Sequence, residues 1–136
     1  YTQVLGLLVR AQNDTSADLS VPGTEDPLVI LEHRPGTRPV RPGSRLGLYH
    51  VAILLPDRRA LGQFVHHLAH RGLRAGASDH LVSEALYLHD PDGLGIEVYA
   101  DRPAATWQRQ GRELLMASDP LDLAAVVASA EGAVWA

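Results

Sequence analysis

The chain has 136 residues and a formal net charge of −4, long enough for one domain that buries a mostly aliphatic core. Its twelve basic residues are all Arg and lie scattered along the chain, which offers neither a nucleic-acid surface nor a membrane-binding face. The absence of Cys removes disulfides, thiolate metal ligands and thiol nucleophiles together, and with no run near the roughly 20 apolar residues of a bilayer span and no signal-peptide pattern, a cytoplasmic protein is expected.

In chain order, residues 1–7 fit the end of a helix stopped by Gly6. Strands are expected over 7–11, 16–21 and 28–33. Residues 34–46, with three Pro and two Gly, read as a linker. A buried strand follows over 48–55, and Pro56-Asp57 stops it with Asp57 placed as a helix N-cap. Leu61, Phe64, Val65 and Leu68 then recur at i, i+3, i+4 and i+7, one apolar face of an amphipathic helix that Gly72 ends. Strands over 74–77, 82–89 and 95–100 complete the unit, with Asp90-Pro91-Asp92-Gly93 turning between the last two. The order over 47–101 is β-α-β-β-β, and residues 1–33 look like the same unit without its front. In 102–136, Trp107, Leu114, Leu115 and Met116 are suited to cover a sheet edge, and Asp119-Pro120-Leu121-Asp122 starts a helix running to about 130.

Alternation along 48–55 puts Tyr49, Val51, Ile53 and Leu55 towards the helix and His50 on the other face with Ala52 and Leu54. In the last strand Glu97 shares a face with Gly95 and Tyr99, while Ile96, Val98 and Ala100 take the other. Each residue alone has an ordinary reading, His50 as a core histidine and Glu97 as a solvated carboxylate. Together, on the first and last strands of one unit, a neutral imidazole and a carboxylate match two of the three donors of a 2-His-1-carboxylate site. Tyr87 lies on a face with the small Ser83 and Ala85, which leave the space a pocket needs; packing across strands is the alternative. His80 falls in the loop before that strand, where acid–base groups are common and water-facing histidines commoner. His66, His67 and His70 read as a solvated helix face, since no Glu follows His66 in the metalloprotease manner. His89 reads as an exposed strand end, and Glu32 and His33 as an ordinary strand edge.

The repeated unit, Gly47-Leu48-Tyr49-His50-Val51-Ala52, Asp79 through Tyr87, and the turn leading to Gly95-Ile96-Glu97-Val98-Tyr99 resemble the vicinal oxygen chelate superfamily. That group includes glyoxalase I, bleomycin-resistance proteins and extradiol dioxygenases, and the likeness is closest to bacterial catechol 2,3-dioxygenase-like proteins. The resemblance implies an α+β fold in which paired βαβββ modules form a curved mixed sheet around a cavity. Here the first module (1–33) lacks its first strand and most of its helix, 47–101 is complete, and 102–136 leads towards a further domain of a longer protein. It implies His50 and Glu97 as metal ligands, His80 as the histidine that aids O₂ activation and proton transfer, and Tyr87 as the contact to a catecholate. The remaining family ligand, a histidine on the first module's first strand, has no counterpart in this chain. Fe(II) is the metal implied, with Mn(II) or another divalent ion as the variant, and a small aromatic diol and O₂ are the implied partners. A homo-oligomer stays open. A glyoxalase-type isomerase or lyase, with Glu32 as an added carboxylate, and a metal-free binding module are the alternatives.

Overall fold

The computed structural model of the chain describes residues 1–38, 47–132, 134 and 135. These fall into two compact units that divide between residues 38 and 47.

The first unit opens with α1 (Thr2–Leu5), ended by Gly6 in the left-handed conformation at φ 75, where its N–H returns to Thr2 O. A glycine there avoids the Cβ clash that any other residue would meet. Strands β1 (Leu8–Gln12), β2 (Ser16–Ser20) and β3 (Val29–Glu32) form an antiparallel sheet in that order. The expected strands are thus found within a residue of their ends. Asn13 builds the first turn, its Oδ1 accepting from the N–H groups of Thr15 (2.8 Å) and Ser16 (2.9 Å). Buried Ser20 accepts from Arg10 Nε at 2.7 Å. Of the expected linker, residues 34–38 form an exposed turn closed by Thr37 N–H on Arg34 O; 39–46 lie outside the described residues.

The second unit has the expected β-α-β-β-β order: β4 (His50–Leu54), α2 (Arg58–His70), β5 (Gly76–Asp79), β6 (Ser83–His89) and β7 (Gly95–Asp101). The sheet order is β4-β7-β6-β5, with β4 parallel to β7 and the other pairs antiparallel. Asp57 caps α2, its carboxylate accepting from Ala60 N–H at 2.8 Å. The helix ends where Gly72, at φ 66, lets Leu73 N–H reach back to Leu68 O. Leu61, Phe64 and Leu68 are buried, as are Ile96, Val98 and Ala100 of β7, on which α2 packs. Each of these side chains except the small Ala100 contributes about 1.5–3 kcal/mol of burial.

The strand around His50 differs from its expected buried state. Tyr49 is 85% exposed and Leu54 54% exposed, because β4 is the outer strand of this sheet. An apolar run reads alike for a central and an outer strand, so the sequence did not distinguish them.

Residues 102–132, 134 and 135 stay with this unit. A short 3₁₀ turn (Ala104–Thr106) precedes the small hairpin β8 (Arg109–Gln110) and β9 (Glu113–Leu114). Asp119 then pairs with Asp79, adding backbone to the β5 edge. α3 (Leu123–Ala128), capped by Asp122, packs on α2 at Gly62, where a Cβ would run into the Val126 carbonyl oxygen. No helix among the described residues is long and apolar enough to cross a membrane.

Candidate functional site

Sheet register decides which side chains meet. Across the parallel β4–β7 pair, His50 lies opposite Gly95 and Ala52 opposite Glu97. Across β6–β7, Tyr87 lies directly opposite Glu97. Opposed residues share a face, so His50, Glu97 and Tyr87 converge on the side of the sheet away from α2. His50 Nε2 is 2.9 Å from Glu97 Oε2, and Tyr87 Oη donates to Glu97 Oε1 at 2.8 Å. His80 joins from the β5–β6 turn, with Nε2 2.6 Å from Tyr87 Oη and Nδ1 2.7 Å from the Ala117 carbonyl. All four residues singled out in the sequence therefore lie in one chain of polar contacts, hydrogen bonds linking His80, Tyr87 and Glu97 and a close ion-pair contact joining His50 to Glu97.

Two features of this chain were not anticipated. Gly95 leaves room for His50: a Cβ there would sit 2.9 Å from His50 Cβ and 2.6 Å from Tyr49 O. Its place opposite His50 becomes apparent only once the two strands are paired. Ala117 O lies 37 residues from His80 in sequence, and no side chain marks a backbone acceptor.

The carbonyl of Ala117 can only accept, so His80 Nδ1 carries a proton and its Nε2 faces Tyr87. With Ala117 O and the Glu97 carboxylate at its ends, the chain of three links needs three protons. A neutral imidazole and a phenol bring two. The chain closes fully when it holds one proton more. Burial pushes the Tyr87 phenol well above its ordinary pKa, and the hydrogen bond to Glu97 and its charge add to the effect. Tyr87 therefore stays a phenol at neutral pH.

The opposite face of the same hairpin carries an ionic network. Glu84, 3% exposed, takes a two-pronged bond from Arg58, Nε to Oε2 at 2.6 Å and Nη2 to Oε1 at 3.1 Å. Arg102 reaches both Glu84 (3.2 Å) and Asp79 (2.7 Å from Nη2). The Arg102 hydrogen bonds hold the Asp79 carboxyl down at about 2, against the smaller opposing effect of burial. Asp79 in turn raises the Arg102 guanidinium. Asp79 Oδ1 also accepts from Leu81 N–H at 2.8 Å, where Leu81 adopts a left-handed φ of 68. For a leucine this costs about 1–3 kcal/mol and persists only where neighbours enforce it.

The other histidines stand apart from this chain. His66 and His70 are exposed and His67 half-buried; with Gln63, Gly132, Val134 and Trp135 they line a groove of about 450 Å³ beside α2. His67 stacks on Phe64 at 6.4 Å and accepts from Arg71 Nε. His89 and His33 are exposed, and Glu32 is exposed in an ion pair with Arg34.

Among the described residues no three His, Asp or Glu side chains gather to hold a metal. His50 and Glu97 nevertheless fit part of a donor set. At bond lengths of about 2.1 Å, two neighbouring corners of an octahedral shell lie about 3.0 Å apart, and His50 Nε2 and Glu97 Oε2 are separated by 2.9 Å. His50 Nδ1 is buried without a hydrogen-bond partner among the described residues, while the ring packs against those of Tyr49 and Tyr87 at 5.0 and 6.2 Å.

The glyoxalase/bleomycin resistance protein/dioxygenase superfamily matches residues 1–98. A catechol-2,3-dioxygenase of Bacillus subtilis (strain 168) is 50% identical over 109 residues, which is 80% of this chain and 38% of that protein. The chain thus spans well under half of that relative's length. A glyoxalase/bleomycin resistance protein/dioxygenase from Alicyclobacillus acidocaldarius superposes with a TM-score of 0.59 at 18% identity, covering 78% of this chain and 81% of that one. A glyoxylase/bleomycin resistance protein/dioxygenase domain from Frankia sp. EAN1pec gives a TM-score of 0.53 at 25% identity, over 75% of this chain and 84% of the other.

Proposed function

Since the chain belongs to the glyoxalase/bleomycin resistance protein/dioxygenase superfamily, we propose that it forms part of an extradiol dioxygenase, cleaving a catecholic diol with O₂ at an Fe(II) site. The observation that carries this reading is the single chain His50–Glu97–Tyr87–His80 on one sheet face. The named relative, a catechol-2,3-dioxygenase, favours it over the isomerase, lyase and binding-module alternatives.

On this reading His50 Nε2 and Glu97 Oε2 hold the metal, Mn(II) or another divalent ion serving in place of iron, and the third protein ligand is not among the described residues. When bound, such a metal supplies charge neutralisation for a chelated diol and open positions for substrate and O₂. The protein's own groups handle the proton. Tyr87 orients the diol by hydrogen bonding or helps deprotonate it by relaying the proton. His80, with Nδ1–H committed to Ala117 O, presents Nε2 to receive that proton through Tyr87 Oη. A proton released by the diol is the one that the chain of three links lacks. General acid–base help of this kind is worth about 10²–10⁴-fold.

Residues 1–33 are read as the later part of one βαβββ module and 47–101 as a second, with a cytoplasmic location, a small aromatic diol as substrate and no nucleic-acid or membrane partner. The test is metal content and O₂ uptake with catechols, using the full-length protein. Bound iron, O₂ consumption and a yellow ring-opened product are expected. Metal bound without O₂ uptake would transfer the site to a glyoxalase-type isomerase or lyase. A well-folded protein that binds no metal would leave a ligand-binding module.

A further inference from the structure

We propose that the ionic chain Arg58–Glu84–Arg102–Asp79 on the helix side of the sheet is a positioning device that aims the His80 imidazole at Tyr87 on the other side. Only its catalytic consequence rests on the dioxygenase reading; the aiming itself does not.

The register of the β5–β6 hairpin sets Asp79 opposite Glu84. Two carboxylates side by side repel, and a hairpin that pairs them needs a cation between them. Arg102, just beyond β7, supplies it with one guanidinium that touches both. Its backbone N–H also donates to Val82 O at 2.8 Å, so one residue grips the turn by main chain and side chain. Asp79, held by that fork, turns its Oδ1 to Leu81 N–H and keeps Leu81 at positive φ. The turn then closes through His80 N–H on Ser83 O at 2.9 Å. His80, the residue between Asp79 and Leu81, is thereby directed to the Tyr87 face.

The second tether of His80 leads back to the same network. Its Nδ1 partner, Ala117, belongs to a segment that pairs with the turn through Asp119 and Asp79, N–H to O at 2.8 and 3.0 Å. The helix α3 that follows is fastened by Arg58 Nη1 on Ala125 O at 2.9 Å and by Ser129 Oγ on Arg58 O at 3.1 Å. Arg58 is the residue that also clamps Glu84. Both holds on the imidazole thus depend on one set of charges. None of these charges bonds the His80 ring or Tyr87, so they are positioning residues.

The experiment is nitrogen NMR of histidine-labelled protein without metal. In the wild type, His80 is expected as a single tautomer with its proton on Nδ1 and slow exchange of that proton. Arg102→Lys keeps the charge but loses the fork that spans two carboxylates. Folding of each variant is checked by circular dichroism. With the fold retained, the His80 Nδ1–H should exchange at least about tenfold faster and the ring should move towards a tautomer average, while His66 and His70 stay unchanged. Glu84→Gln removes the central charge of the chain and keeps its shape, so it serves if Arg102→Lys does not fold; the same His80 changes are expected. In full-length enzyme, kcat should fall about 10- to 100-fold with KM within about twofold. An unchanged His80 ring in a folded Arg102→Lys or Glu84→Gln protein overturns the proposal. A fixed His80 in a wild-type protein that consumes no O₂ would sink the dioxygenase reading and leave this one standing.

Discussion

Replacing Gly95 with Ala should damage the site without touching a polar group. The added Cβ would lie 2.9 Å from His50 Cβ and 2.6 Å from Tyr49 O. Ordinary carbon contacts begin near 3.5 Å, so β4 must retreat from β7 by about 0.6 Å or the His50 side chain must swing away. Retreat is the cheaper course, because β4 is the outer strand of this sheet and Tyr49 is 85% exposed. The 2.9 Å separation of His50 Nε2 and Glu97 Oε2 would then open to about 3.5 Å, beyond hydrogen bonding and too wide for adjacent corners of one metal shell. Overpacking should cost about 1–3 kcal/mol in stability. Misplacement of this size should cost about 10²-fold in turnover. Urea unfolding of the chain measures the first quantity, and Fe(II) affinity with catechol turnover of the full-length enzyme the second. A Gly95→Ala protein with wild-type stability and wild-type metal affinity would refute the claim that this glycine makes room for His50.

Tyr87→Phe should cost only about 1 kcal/mol in stability but lower turnover about 10²–10⁴-fold, since it cuts the link between His80 and Glu97; steady-state kinetics on the full-length enzyme checks this. The Arg102 hydrogen bonds hold Asp79 near 2 against its ordinary value of 3.8, so its contribution is present above about pH 4 and is lost as pH falls through 4 towards 2. Allowing for solvent screening, that loss is about 1–2 kcal/mol; stability measured against pH should be flatter by this amount in Asp79→Asn. Phe64→Ala, at a fully buried position of α2, should cost about 3–5 kcal/mol in thermal or urea unfolding.

Much of this fold could be read from local signals. Gly6, Asp57, Gly72 and the Asp90 turn each mark a boundary through backbone chemistry that does not depend on tertiary context, and each is found in that role. The shared face of His50 and Glu97 follows from a period of two, which survives any sheet order. What escaped was whatever depends on pairing. Alternation places Tyr49 on the helix side, yet it precedes β4 and is largely exposed. Glu84, between Ser83 and Ala85, looks like any strand carboxylate until Arg58 and Arg102, 26 residues before and 18 after, are brought beside it. Ala117 carries no chemical mark at all.

The site depends above all on the register of β6 against β7, and that register is fixed at both ends. At the turn, Asp90 Oδ1 accepts from Asp92 N–H at 3.0 Å and Leu94 N–H at 2.8 Å, while Gly93 takes φ 88. At the open end, Arg102 holds Val82 by its backbone and Glu84 by its side chain. A slip of one residue on β7 would turn Glu97 towards α2 and bring Ile96, Val98 and Ala100, all buried, out to the other face. That exchange would bury an unpaired carboxylate and expose three apolar groups, each change costing several kcal/mol or a substantial part of it. The apolar core therefore selects the face on which Glu97 lies, and the two clamps select which residue it meets. Tyr87 faces Glu97 because Asp90 and Arg102, neither of them part of the proton chain, set the strands in register.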